Sequence, residues 1–184
     1  QAFQRIEAFG MGVDEAADRV GDALRLIGLA QDFAPLVVVV GHGSTSQGNP
    51  YEAAYNCGAC GGSPGDGNAR VFATLANHRR VRSALAARGM QIPDDTIFVG
   101  AYHDTATDAL LFADDQPLPE ADRSWLALIS AAAGQRDALE RGRRFATLRP
   151  DAVPAEALAH GLKRAADLSQ VRPEYGHATN ALLV

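Results

Sequence analysis

Leu36 to Ser44 reads LVVVVGHGS, a run of β-branched residues that stops at a histidine set between two glycines. Four consecutive valines entered through Pro35 predict a strand over 36–40. A continuous apolar run, without alternation, predicts burial on both faces, as in the parallel sheets of α/β proteins. Fifteen residues beyond His42 comes Cys57, and three further on Cys60, the two cysteines of the chain. Residues 41–68 hold eight glycines, two prolines and both cysteines. Loops of that length in a compact domain are commonly functional or disordered.

Working outward, Val13, Ala17, Val20, Leu24 and Ile27 recur at helical spacing, with Gly28 as a stop. Asn68 is a candidate cap for a helix from Ala69 to about Asn77, and Val81 to Ala87 forms a second pattern ending at Gly89. DDTIFVGAYHD reads as another buried strand, Thr96–Tyr102, ending at His103. Residues from about Glu120 to Phe145 form one long helix or a broken pair, and Pro154 opens a helix over roughly Ala155–Leu168. QVRPEYGHATN is expected to be a loop, and the closing ALLV the start of a strand. Helices alternating with strands predict an α/β fold, a mostly parallel sheet flanked by helices. Ligands of such sheets bind beyond the carboxyl ends of the strands, so His42 and His103 are expected to share one rim.

A chain of 184 residues suits a single α/β unit over 1–184. The hydrophobic fraction of 47% and charged fraction of 21% are those of an ordinary globular protein. A net charge of -5 without a basic block argues against nucleic acid as a partner, since Arg141, Arg143 and Arg144 sit beside Glu140 on a helical face. No apolar segment approaches the roughly 20 residues of a membrane-spanning helix, and the N-terminal residues lack the order of a signal peptide. A CxxC pair in a loop does not resemble a disulfide framework; a reducing compartment with a metal or redox role fits better. The opening QAFQ and the closing NALLV read as a piece of a longer protein, and the fold is expected to be incomplete for that reason.

Several chemistries compete for these residues. His42 and Cys57 are the donor types zinc prefers, and the glycines beside His42 let the backbone approach closely. The competing reading has His42 hydrogen-bonded to loop backbone and Cys57 packed as a small apolar residue; spacing alone leaves both open. Cys57 and Cys60 as a dithiol redox pair is a third reading, weakened because GGSPGDGN follows where a thioredoxin-type site needs a helix start. Ser44 as a nucleophile lacks the strand–Gly-x-Ser-x-Gly–helix elbow, and GHGS lacks the lysine of a phosphate loop. His103, with Asp104 and Asp108 close in sequence, reads as a metal cluster, a backing group or a capping loop. A strand-end histidine hydrogen-bonded in place is the simplest of these, and the same holds for His177. His78 and His160 read as helix-surface residues.

APLVVVVGHGSTSQGNPYEAAYNCGACGG, GNARVFATLAN, IPDDTIFVGAYHDT, ERGRRF and RPEYGHATNALLV, in this order, closely resemble the inorganic carbon transporter subunit DabA family. The similarity runs over essentially the whole chain and corresponds to a segment of the C-terminal half of a much longer protein.

The resemblance implies a fold and zinc site like those of the β-carbonic anhydrases. Of four ligands, it maps a His and a Cys onto His42 and Cys57, and it does not make Cys60 a ligand. The remaining Cys and Asp belong to a Cys-x-Asp-x-Arg-like segment that does not occur in this sequence. His103 and Asp104 become candidates for groups that back the ligands; Asp104 departs from the family's commoner His-Asn-Thr. The implied cofactor is Zn2+, the implied substrates are CO2 and bicarbonate, and the implied reaction is carbonic-anhydrase-like hydration. Zinc acidifies its bound water enough to make that reaction run near neutral pH. A nearby Arg drawing the ligating Asp off the metal would act as the gate.

The implied setting is a peripheral protein on the cytoplasmic face of the cell inner membrane. Its implied partner is an integral, cation-translocating, DabB-like subunit resembling the ion-translocating subunits of respiratory complex I. Uptake of inorganic carbon would be coupled to a cation gradient. A non-catalytic, zinc-stapled scaffold subunit is the alternative of a different class.

Overall fold

The computed structural model describes residues 10–45, 56, 61–113, 118–144 and 151–169. The elements run α1 (Val13–Leu26), β1 (Leu36–Gly43), α2 (Asp66–Asn77), α3 (Arg79–Ala87), β2 (Ile97–Asp104), β3 (Ala109–Phe112), α4 (Glu120–Arg144) and α5 (Pro154–Ala165).

Helix α1 buries Ala16, Ala17, Val20, Gly21 and Leu24, one face at helical spacing. Gly28 ends it in the left-handed region (φ 76°). There the Leu29 N–H donates to the Leu24 carbonyl and the Gly28 N–H to the Arg25 carbonyl, the paired bonds of a Schellman stop. The expected helix and its stop are therefore both present. Ile27 falls outside the buried face, 40% exposed.

The described strands form one sheet in the order β1-β2-β3. Strands β1 and β2 are parallel, in register from Leu36 with Ile97 to Gly43 with Asp104. Strands β2 and β3 are antiparallel, from Ala101 with Phe112 to Asp104 with Ala109. The expectation of an α/β fold with helices flanking a sheet is met. The sheet itself is small and mixed rather than mostly parallel, because a turn at residues 105–108 folds the chain straight back along β2. That third strand escaped the sequence reading: four residues carry little periodicity.

Burial on both faces belongs to β2, not to β1. Phe98, Val99 and Ala101 are 0–1% exposed, and alternation sends Phe98 to one face and Val99 and Ala101 to the other. Strand β1 lies at an edge of the described sheet, its residues Leu36 to Val39 are only partly buried, and Val40 is 49% exposed. A Val run states apolarity, while burial depends on which neighbours cover it.

The main core sits between the sheet and α1–α3, around Val20, Leu24, Val81, Leu85 and Phe98. Phe98 is flanked edge-on by Phe33 and Phe72, at centroid distances of 6.3 and 6.4 Å. Helix α2 approaches the sheet unusually closely. A Cβ at Gly100 would lie 2.8 Å from the Arg70 Cα, and one at Gly41 would lie 2.1 Å from the Gly65 carbonyl oxygen. Helix α4 packs on β3 and α5 on α4, with a smaller cluster around Ala138, Leu139, Ala152 and Ala157.

Element limits also shift from expectation. Strand β1 runs on through His42 to Gly43, and β2 through His103 to Asp104. Helix α2 starts at Asp66 with Gly65 at its N-cap, not at Asn68, because the Gly65 N–H is tied to the His42 carbonyl (2.7 Å). The glycine-rich connection between β1 and α2 is correspondingly shorter than 41–68. Helix α4 is a single helix, and α5 ends at Ala165 rather than Leu168. The loop containing His177 and the expected strand at 181–184 lie outside the described residues.

Candidate functional site

The carboxyl ends of the two parallel strands bring His42 and His103 together: they are register partners on adjacent strands. Partners in a parallel ladder present their side chains on the same face. That face is opposite to the one on which Phe98 joins the α1–α3 core. The shared rim expected of the two histidines is thus formed.

Four successive residues leading out of β1 at this rim each have a backbone group with a defined partner. The His42 carbonyl accepts from the Gly65 N–H (2.7 Å), and the Gly43 carbonyl from the Thr105 N–H (2.8 Å) and hydroxyl (3.1 Å). The Ser44 N–H donates to Asn56 Oδ1 (2.9 Å), and the Thr45 N–H to Asp104 Oδ1 (3.0 Å). A Cβ at Gly43 would lie 2.6 Å from the Tyr102 ring, so a side chain there would need that ring to shift.

Asn56 immediately precedes Cys57 and is buried, 6% exposed. Its bond to Ser44 returns that point of the loop to within two residues of His42. Cys57 and Cys60 themselves lie outside the described residues.

His103 is held by Asp108, with Nε2 3.2 Å from Oδ1 and both side chains largely buried. A carboxylate there accepts from Nε2–H and thereby orients the ring. Asp108 adopts a left-handed conformation (φ 56°), and α4 comes close enough that a Cβ at Gly134 would lie 3.0 Å from the Asp108 carbonyl oxygen. Asp104, 5% exposed, points to the opposite face. There it accepts from the Thr45 hydroxyl, the Thr107 hydroxyl (2.8 Å) and the Ala106 N–H (3.1 Å). His103 and the two aspartates therefore divide into a hydrogen-bonded histidine and a capping carboxylate. His78 caps α3, its Nδ1 accepting from the Arg80 N–H (3.2 Å), and His160 lies on α5.

Zinc can be weighed against these residues. His42 supplies an imidazole at the rim, a donor type zinc takes. Among the described residues no group of three His, Cys, Asp or Glu is close enough to hold a metal. Asn56, Thr45 and Thr105 are the rim residues that sequence reasoning missed. None carries a motif: Asn56 and Thr105 are recruited across the chain by backbone groups of Ser44 and Gly43 that need a partner, and Thr45 by the carboxylate of Asp104.

Residues 1–184 match the family described as "Probable inorganic carbon transporter subunit DabA" over their whole length. A relative from Sorangium cellulosum, "Probable inorganic carbon transporter subunit DabA 2", is 49% identical over 173 residues, 92% of this chain and 17% of that protein. A second from the same organism, "DabA 1", is 52% identical over 171 residues, 91% of this chain and 17% of that protein. One from Methylococcus capsulatus is 50% identical over 175 residues, 94% of this chain and 16% of that protein. The chain thus spans about a sixth of the length of these curated relatives. No solved structure matches it. On identity of this extent and a match from the first residue to the last, the chain belongs to the DabA family of probable inorganic carbon transporter subunits.

Proposed function

We propose that this segment contributes His42 and Cys57 to a zinc site in a subunit that takes up inorganic carbon, hydrating CO2 to bicarbonate in one direction. The observation that carries the reading is the bond from the Ser44 N–H to Asn56. It joins the strand end bearing His42 to the residue next to Cys57. His42 offers a neutral nitrogen and Cys57 a thiolate, an imidazole–thiolate pair of the kind zinc favours over harder cations. Bound zinc supplies Lewis acidity for the hydration. His103, held by Asp108, is the register partner of His42 on the adjacent strand. The relatives' printed names support the transport role.

The reading extends to a membrane setting. Docking on an integral, cation-translocating partner subunit at the cytoplasmic face is the arrangement proposed, supported by the relatives' printed description as transporter subunits. Coupling to that partner's cation flow is what makes uptake one-way.

The test is zinc content and carbon uptake of the full-length protein. His42→Ala and Cys57→Ser are each expected to remove most of the zinc and the uptake. Near-stoichiometric zinc in both variants would sink the assignment. Zinc lost with uptake intact would convert the site to a structural staple.

A further inference from the structure

One buried carboxylate at the rim is not accounted for by the proposed ligands. Asp104 is 5% exposed, yet its two oxygens meet four donors. Oδ1 accepts from the N–H groups of Thr45 (3.0 Å) and Ala106 (3.1 Å). Oδ2 accepts from the hydroxyls of Thr45 and Thr107 (2.8 Å). An ionised carboxylate is an acceptor only, with room for about four bonds, so these donors satisfy it. Such bonds offset the cost of taking the charge out of water.

The partition of those donors is informative. Two belong to Asp104's own turn between β2 and β3. The other two belong to Thr45, 59 residues away in sequence, three positions beyond His42. With Gly65 on the His42 carbonyl, Thr105 on the Gly43 carbonyl and Asn56 on the Ser44 N–H, four successive residues are held at the β1 exit. Asp104 grips both the backbone and the side chain of the residue it holds.

We propose that Asp104 is a positioning residue. Its carboxylate latches Thr45 to the β2–β3 turn and sets the direction in which the chain leaves His42. At the metal, its consequence rests on the zinc reading above; the latch itself does not. Removing a group that orients a metal ligand typically costs about 10–100-fold in metal affinity, so a loosened exit shows as weaker metal retention.

The full-length protein with Asp104→Ala, Asp104→Asn or Thr45→Val would be followed by amide hydrogen exchange and by zinc content. In Asp104→Ala, amides of residues 44–45 and 105–107 are expected to exchange roughly tenfold faster or more, with α1–α3 unchanged. Zinc content is expected to fall by at least about half, as a loss of affinity of about 10–100-fold would give. Asp104→Asn should restore both to within about threefold. Its carbonyl keeps the two N–H bonds, and the threonine hydroxyls can turn to accept from its NH2. Thr45→Val removes one hydroxyl only, should give an intermediate effect, and decides the matter if Asp104→Ala does not fold.

Exchange at 44–45 as slow as in the unchanged protein, in whichever of these two variants folds, overturns the latch. A loosened exit with full zinc, while His42→Ala loses zinc, overturns its consequence for the metal. Zinc retained in His42→Ala overturns the zinc reading, and the exchange result then decides the latch alone.

Discussion

At the scale of single residues, His42 and His103 show how far a strand end can be read in advance. Each closes an apolar run, and that alone placed both at one rim. Their register partnership confirms it. Asn56 shows the opposite: nothing marks it out within YNCG, yet it is buried and holds the Ser44 N–H. Its importance comes from an orphan donor left by a strand that has ended. Asn56→Ala is expected to cost about 1–2 kcal/mol through that unsatisfied group. On the zinc reading it also speeds zinc loss to a chelator. Cys60→Ser should leave zinc retention unchanged; equal loss in Cys60→Ser and Cys57→Ser would instead favour a dithiol.

At the scale of elements, contact between α2 and the sheet governs the site. Gly41 and Gly100 exist as glycines because helix backbone occupies the space a Cβ needs. Gly100→Ala and Gly41→Ala should each destabilise by about 1–3 kcal/mol, as overpacking does, read from denaturant midpoints. An unchanged midpoint would show that α2 can withdraw at no cost. The other end of α2 is anchored by Arg82. Its guanidinium donates to the carbonyls of Ala76 (2.8 Å), Pro93 (3.0 Å) and Thr96 (2.6 Å) and to Asn77 Oδ1 (3.1 Å). Burial lowers its pKa and Asp94 opposes that shift. Arg82→Ala should cost about 2–3 kcal/mol, and Arg82→Lys should rescue little of it, because an ammonium cannot span four acceptors in a fork. Rescue by Lys would reduce the role to one of charge. Sequence periodicity located these helices well, but not this joint. Three of its four acceptors are backbone carbonyls, which every residue has.

At the scale of the whole molecule, the α1–α3 layer and the sheet share one core while α4 and α5 have a smaller one. Amide exchange should therefore be slowest in β2 and α2 and faster in α4 and α5, since local opening follows buried apolar contact. Equal protection throughout would mean that the two clusters unfold as one unit. The order of the helices and of β1 and β2, the α/β class, the stop of α1 at Gly28 and the family were legible from residues 1–184 alone. They depend on local periodicity, on glycine and proline punctuation, and on motifs contiguous in sequence. Which strand is covered on both faces, the antiparallel return of β3, the start of α2 at the rim and the latch of Asp104 on Thr45 were decided only by the tertiary structure. Each depends on which backbone groups and apolar faces meet across dozens of residues, and a linear pattern carries no term for that meeting.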